Sequence, residues 1–118
     1  ESNLLDGVMK RDYEVSFSGK TFACLDRGFG TNESVTVVVR PEDIDVVSEE
    51  SAAIRGTVIS TLFMGVHYAI RMKDDDGFEW LIHTTDYAAQ GARIGISLTP
   101  DDIHVMERSM YDTAEVSV

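Results

Sequence analysis

The sequence predicts an all-β domain, a barrel or a sandwich, assembled from two copies of one strand unit. Short runs of alternating apolar and polar residues follow one another along the chain, separated by Gly, Asn, Asp and Pro. No amphipathic run is long enough for a helix of more than about two turns. The only two prolines, Pro41 and Pro100, occupy the same position in a repeated pattern. These observations favour many short strands and an internal repeat.

The repeated pattern is a strand, a proline turn with two acids, and a second short strand. In the first copy the β-forming run Val35–Val39 is stopped by Pro41, which has no N–H to give to a sheet. We call Pro41–Asp43 the first proline turn and Pro100–Asp102 the second. A proline followed by acids is a common turn in itself. The flanking apolar pattern also repeats, and this favours duplication; the strands in question are Val35–Val39, Ile44–Val47, Ile94–Leu98 and Ile103–Met106.

Further strands precede each proline turn. The first half has alternating runs at residues 3–9, 13–17 and 21–25, and Gly7 indicates a bulge or a close backbone contact. In the second half Ile54–Ile59 has the same form, with Gly56 in the place of Gly7. The segment Ser48–Ala53 is linker-like. We therefore expect one domain over residues 1–106, with halves of about 1–47 and 54–106, and a poorly ordered polar tail at 107–118.

The clearest alternation runs from Leu62 to Met72 and continues from Phe78 to Thr84. A three-residue loop, Asp75-Asp76-Gly77 with Gly77 left-handed, places Met72 opposite Trp80, Ile70 opposite Ile82 and Lys73 opposite Glu79. A slip of one residue would expose Trp80, so we predict this register. Thr84–Asp86 then resembles an N-cap for one short helical turn through Gln90, ended by Gly91.

Neither half is large enough to close a barrel alone, and its strand edges would invite pairing. We therefore expect the halves to share strands in one compact unit, with Ser48–Ala53 crossing between them. A second copy of the chain would cover the edges that remain.

Composition excludes several classes of protein. At 118 residues and 43% apolar content the chain can form a real core. Its net charge of −11 argues against binding nucleic acid or an anionic membrane surface. One cysteine, Cys24, permits no internal disulfide and no paired-cysteine metal site. No signal peptide or membrane-spanning run is present, and the start at Glu1 without Met suggests a piece of a longer protein.

The sequence offers no catalytic motif. No GxxxxGK[ST] loop is present to bind the phosphates of ATP, and Ser60, Thr84 and Thr85 have no recognisable base. The paired acids of the two proline turns, Glu42-Asp43 and Asp101-Asp102, could instead hold the ammonium groups of a polycation. The alternative is that they only cap the turns and improve solubility.

Other polar clusters give weaker signals. The predicted register puts His67 and His83 on one face, but two ligands without a third make a poor zinc site, and His104 lies apart in sequence. Asp74–Gly77 does not match a calcium loop, because the required carboxylate positions hold Met72 and His83, so we expect a solvated hairpin tip. Lys20 with Ser16 and Ser18 is the one cluster suited to an oxyanion.

Several motifs together resemble a known family. Val38-Val39-Arg40-Pro41-Glu42-Asp43-Ile44 is similar to the signature of the C-terminal transport-associated OB (TOBE) domain in ATP-binding subunits of ABC importers. Its turn residues are Arg40, Pro41, Glu42 and Asp43, with Pro100 in the second copy. Phe63–Tyr68 and Pro100–Met106 resemble the spermidine/putrescine branch. The resemblance covers about residues 1–106 and implies an OB-like or MOP-like β-barrel.

The resemblance implies a regulatory and dimerisation domain of an importer's ATP-binding subunit, with polyamines as the transported substrate. ATP and Mg²⁺ would bind in a missing nucleotide-binding domain, and this fragment would need no cofactor or metal. The partners implied are a second copy, the transmembrane permease subunits and, as a candidate effector, a polyamine, on the cytoplasmic face of the plasma membrane. Two alternatives remain: a small-ligand module of the oxyanion type, and an OB-fold nucleic-acid binder, which the charge disfavours.

Overall fold

The computed structural model describes residues 1–108, and within them ten strands form two five-stranded antiparallel sheets. The strand order is β10-β4-β1-β2-β3 in the first sheet and β5-β9-β6-β7-β8 in the second. The bounds are β1 Asn3–Arg11, β2 Glu14–Phe17, β3 Lys20–Ala23, β4 Glu33–Val39, β5 Asp45–Val47, β6 Ile54–Phe63, β7 Tyr68–Asp74, β8 Glu79–Thr84, β9 Arg93–Ser97 and β10 His104–Glu107. Single 3₁₀ turns occupy Pro41–Asp43, Glu49–Ser51 and Pro100–Asp102.

The two sheets are built alike, which confirms the predicted duplication of a strand unit. Gly7 of β1 pairs with Val35 of β4, and Gly56 of β6 pairs with Ile94 of β9. Val35 and Ile94 each stand six residues before the proline of their own turn. The all-β, OB-like architecture expected from the sequence is therefore confirmed, with each proline turn in the same place of its unit.

The two units exchange their last strands. Val46 of β5 pairs with Ile96 of β9, and Val105 of β10 pairs with Val37 of β4, so each short strand after a proline turn joins the sheet of the other half. The expected sharing of strands is thus confirmed. The expected crossing at 48–53 is wrong, because β5 and β6 lie in the same sheet. The chain crosses between sheets at the proline turns, where proline ends one ladder and frees the chain to begin another.

Both sheets contribute to one hydrophobic core. Trp80, Met72, Ile70 and Ile82 are fully buried, and Met72 pairs with Trp80 as the alternation predicted. The loop of this hairpin is the expected three-residue one, since the backbone N–H of Asp74 donates to the carbonyl oxygen of Phe78 across it. Gly77 has φ +99°. The predicted β7–β8 register is therefore confirmed.

Two buried polar side chains fasten the sheets to each other. The side-chain amide of Asn3 in β1 accepts from the backbone N–H of Leu81 in β8 (2.7 Å) and donates to its carbonyl oxygen (2.9 Å). Asp74, expected at a solvated hairpin tip, is only 5% exposed. Its carboxylate accepts from Trp80 Nε1 and from the Ser18 hydroxyl of the other sheet, both at 2.9 Å. The prediction that Asp74 is solvated is therefore wrong. The indole N–H of Trp80 is buried in the core and needs a hydrogen-bond acceptor, which Asp74 supplies.

Gly7 and Gly56 are glycines because of close packing, as the sequence suggested. A Cβ on Gly56 would lie 2.2 Å from the carbonyl oxygen of Lys73, and one on Gly7 would lie 2.7 Å from Cγ2 of Val37. The segment between the halves is also docked, since Ala52 is buried against Gly95.

The alternating run at residues 62–72 is not one strand, contrary to our reading. It passes through a hairpin turn, in which the N–H of Met64 donates to the carbonyl oxygen of His67 (2.7 Å) and Gly65 has φ +96°. A two-residue loop leaves the alternation unbroken, so the sequence pattern does not register the turn.

The predicted helical turn through Gln90 is also wrong. The Thr84 hydroxyl accepts from the N–H of Asp86, but no helix follows. The N–H of Gly91 and the carbonyl oxygen of Ala92 instead form hydrogen bonds with the backbone of Val58 in β6, so they cannot take part in a helix.

Candidate functional site

The two proline turns form the candidate site, because the exchange of strands brings them within electrostatic reach of each other. The Asp43 hydrogen bond, followed by the charges of Asp43, Glu42 and Asp102, raises the pKa of the Arg40 guanidinium. Asp102 belongs to the second turn, and the pairings of Val38 with His104 and of Asp45 with Ser97 place the two turns side by side. Four carboxylates and one guanidinium therefore form an exposed acidic cluster, which consists of Arg40, Glu42, Asp43, Asp101 and Asp102.

The first proline turn is anchored on one side and open on the other. Pro41 is fully buried. Arg40 Nε donates to the Asp43 carboxylate at 2.9 Å, which holds the turn. Glu42 is exposed and contributes its charge to Arg40. The structure thus uses Pro41 and Asp43 to build the turn and leaves Glu42 facing solvent.

The second proline turn is built around Thr99. Its backbone N–H donates to the Asp102 carboxylate at 2.8 Å. Its hydroxyl lies within hydrogen-bond distance of Asp101 (2.5 Å) and Asp102 (3.0 Å), and its single proton can serve one of them at a time. The Thr99 hydrogen bond lowers the pKa of the Asp101 carboxyl, with a smaller contribution from the charge of nearby His104. Both acids are therefore held as acceptors in fixed positions.

What this arrangement offers to a ligand is negative charge, since four carboxylates surround one guanidinium. The four carboxylates of the cluster are exposed or partly exposed, and the guanidinium of Arg40 is paired with Asp43. Three of the four predicted acids also shape their own turns, so the capping reading has direct structural support.

A second polar feature is a cleft of about 290 Å³ between the two units, where the β2–β3 turn meets the β7–β8 loop. Ser18 and Lys20 of the predicted oxyanion cluster line it, but Ser16 does not. Asp75 is already bound by Arg93 through two hydrogen bonds of 2.7 and 2.8 Å, and that hydrogen bonding lowers the pKa of the Asp75 carboxyl. Sequence reasoning did not foresee Arg55, the second cation of this cleft, because it lies in the other half.

The two histidines placed on one face by the register are indeed neighbours. His83 pairs with Ala69, and the His67 and His83 ring centroids are 4.6 Å apart. Within residues 1–108, no group of three or more His, Cys, Asp or Glu side chains is arranged to hold a metal ion. Cys24 is buried, and burial raises the pKa of its thiol.

Fold and site together define a class of protein: an OB-like domain built from two similar units. The described part of the chain has no helix of the length and apolarity needed to span a bilayer. The chain belongs to the TOBE domain family, whose family model matches residues 37–106.

Curated relatives are similar over nearly the whole chain. It is 49% identical over 111 residues to the spermidine/putrescine import ATP-binding protein PotA of Clostridium acetobutylicum, with 94% of this chain and 31% of the relative covered. It is 44% identical to the proteins of the same name from Clostridioides difficile (92% of this chain, 31% of the relative) and Desulfitobacterium hafniense (95% and 32%). The chain thus spans about a third of the length of these relatives.

Among solved structures, the cytoplasmic molybdate-binding protein ModG has a similar fold. The TM-score is 0.75 at 15% identity, with 89% of this chain and 95% of that chain covered. At this identity the likeness concerns the fold alone.

Proposed function

We propose that this chain is the regulatory and dimerisation domain of the ATP-binding subunit of an ABC importer for polyamines. The observation that carries the proposal is the 44–49% identity to PotA proteins across more than nine tenths of the chain. ATP and Mg²⁺ would bind in a nucleotide-binding part outside this sequence. The parent subunit would lie at the cytoplasmic face of the membrane with permease subunits as partners. The domain itself would contact a second copy.

The test uses the parent subunit expressed with its permease in cells that lack another polyamine importer. We expect uptake of labelled spermidine, and we expect the isolated chain to bind no ATP in calorimetry, since it has no phosphate-binding loop. Removal of residues 1–118 from the parent should leave ATP hydrolysis but alter its control. Failure to transport spermidine and putrescine would exclude the polyamine assignment, and saturable ATP binding by the isolated chain would contradict its non-catalytic role.

The acidic cluster of the proline turns is the place where a polyamine effector would bind. A polyamine is a flexible polycation, and Glu42 and Asp101 present carboxylates to solvent from neighbouring turns. Spermidine titration of the Glu42→Gln/Asp101→Asn double variant tests this, with Glu50→Gln/Asp86→Asn as a control of equal charge change. We expect weaker binding in the first pair only. Equal binding by both variants would show that only net charge matters, and absence of binding by the unmodified chain would exclude this site.

A second candidate function, an anion-binding module, is favoured by the cleft between the units. Lys20 and Arg55 line it, Asp75 is paired there with Arg93, and Ser18 donates to Asp74, so an anion would meet the two cations beside the exposed Asp76. Titration with sulfate or phosphate tests it. Lys20→Met should abolish any such binding, and binding that survives this variant would count against the cleft.

A further inference from the structure

The tip of the β6–β7 hairpin is apolar and exposed. We define the hairpin tip as Leu62–Val66. Four of its side chains are more than half exposed, from 53% at Met64 to 81% at Val66; they are Leu62, Phe63, Met64 and Val66. Residues 59–70 contain no Asp, Glu, Lys or Arg, although such residues make up 26% of the chain. Exposed apolar side chains grouped in this way on one hairpin are typical of an interaction site.

The first unit supplies an internal comparison for this hairpin. β1 and β6 are equivalent through Gly7 and Gly56, and β1 runs four residues past its glycine to Arg11. β6 runs seven residues past its glycine to Phe63. The β1–β2 turn is polar and charged, with Lys10, Arg11 and Asp12. The same fold therefore tolerates a short charged hairpin here, so folding alone does not explain the longer apolar one.

The tip is ordered by contacts of its own. Phe63 packs on Tyr68 with ring centroids 5.2 Å apart, and Tyr68 packs edge-on against exposed Tyr87 at 5.5 Å. The Thr61 hydroxyl donates to the carbonyl oxygen of Ala88, which fixes the segment that carries Tyr87. A surface held in one shape before binding loses little entropy when a partner covers it. Aromatic residues and Met are also enriched in interfaces.

We infer that the hairpin tip is the surface through which two copies of this chain associate. The inference rests on the proposed dimerisation role and names its interface. Each copy carries a net charge of −11, so charged faces of two copies repel one another. The tip contains no Asp, Glu, Lys or Arg, and its hairpin extends farther past the glycine than the equivalent hairpin of the first unit. Two copies that meet at their tips therefore repel each other least. The same patch serves both copies, which gives a closed twofold contact.

The contact is a weak one. Five side chains, those of the tip together with Tyr87, offer less than the roughly 800 Å² per partner of a standard stable interface. Association is therefore concentration-dependent. It strengthens with salt, because salt screens the repulsion between the acidic bodies and leaves the apolar contact in place.

Sedimentation equilibrium up to hundreds of micromolar protein, at low and high salt, tests the inference. The Met64→Glu/Val66→Lys variant keeps the net charge and should weaken association by at least about tenfold. The control, Leu4→Glu/Leu25→Lys, makes the same change at exposed apolar residues elsewhere and should leave association unchanged. Circular dichroism melts verify that both variants fold. A disulfide between two Val66→Cys chains, in a Cys24→Ser background, should form under oxidation and lock the dimer.

Four results would overturn this interface. If Met64→Glu/Val66→Lys dimerises as well as the unmodified chain, the proposed dimerisation role holds but the interface lies on another surface. The role and the interface can therefore be disproved separately. If the unmodified chain stays monomeric at all concentrations, or its association weakens with salt, the tip does not join two copies. If the tip instead drives binding to uncharged phosphatidylcholine vesicles in flotation, its occupant is a lipid surface.

Discussion

Replacement of the buried carboxylate Asp74 should destabilise the domain more than its place in a hairpin loop implies. The carboxylate accepts four hydrogen bonds: from the backbone N–H groups of Asp76 and Phe78 through one oxygen, and from Ser18 and Trp80 through the other. Asp74→Asn keeps the shape but turns an NH₂ group toward two of these donors. An N–H donor on that side then loses its acceptor, whereas the Ser18 hydroxyl, which can also accept, can keep a bond to the NH₂ group.

The magnitude depends on which donors water can reach. The Trp80 side chain is 0% exposed, so its indole N–H cannot find water, whereas the loop N–H groups and Ser18 lie nearer the surface. An unsatisfied buried donor costs about 1–3 kcal/mol, and loss of the charge-assisted bonds adds to this, so we expect about 2–4 kcal/mol for Asp74→Asn. That is a large share of the roughly 5–15 kcal/mol that stabilises an ordinary domain.

Urea unfolding followed by far-UV circular dichroism measures this loss. Trp80 is the only tryptophan, so fluorescence would disappear in the Trp80→Phe variant that completes a double-mutant cycle. We expect a coupling of about 1.5–3 kcal/mol between the two positions. The control Asp76→Asn, at an exposed residue of the same loop, should change stability by less than about 0.5 kcal/mol. A cost for Asp74→Asn no greater than that of the control would refute the reasoning.

Three further predictions concern packing and charge. Gly56→Ala should destabilise more than Gly7→Ala in urea unfolding, because its Cβ meets backbone at 2.2 Å, whereas that of Gly7 meets the Cγ2 atom of a valine at 2.7 Å; equal losses would contradict this. Trp80→Ala should cost about 3–5 kcal/mol, and an unchanged melting temperature would show that the core assignment is wrong. Because the Arg93 hydrogen bond lowers the pKa of Asp75, the stability that this pair provides is complete above the ordinary carboxyl pKa. It is lost as the pH falls through the depressed value. Arg93→Gln should raise the pKa of Asp75 in a carboxyl NMR titration, and an unmoved titration would exclude this cause.

The sequence by itself determined several features that depend on neighbouring residues. Alternation predicted the strands, and Gly77 with the buried face of Trp80 fixed the register of the β7–β8 hairpin. The two prolines revealed the duplication, because proline interrupts a ladder wherever it stands. The repeated proline pattern also pointed to the acids Glu42 and Asp101, but it could not show that these two residues lie near each other in space.

Where local patterns were ambiguous, the sequence misled. Alternation at residues 62–72 passes through a two-residue turn without a break in period, so the exposed tip looked like a buried strand. Thr84 carries a helix-capping signal, but the backbone that follows is taken up by β6. Both errors arise because a side-chain pattern does not identify the group to which a backbone N–H will bond.

Only the tertiary structure decided which half each short strand joins. Val46 and Val105 sit in nearly identical sequence contexts, and each could pair with the strand before its own proline turn. Instead Val46 pairs with Ile96 and Val105 with Val37, partners far away in the chain. The exchange buries both apolar faces in one core and brings the acidic turns together. A choice between equivalent partners depends on long-range packing, so no local sequence signal can make it.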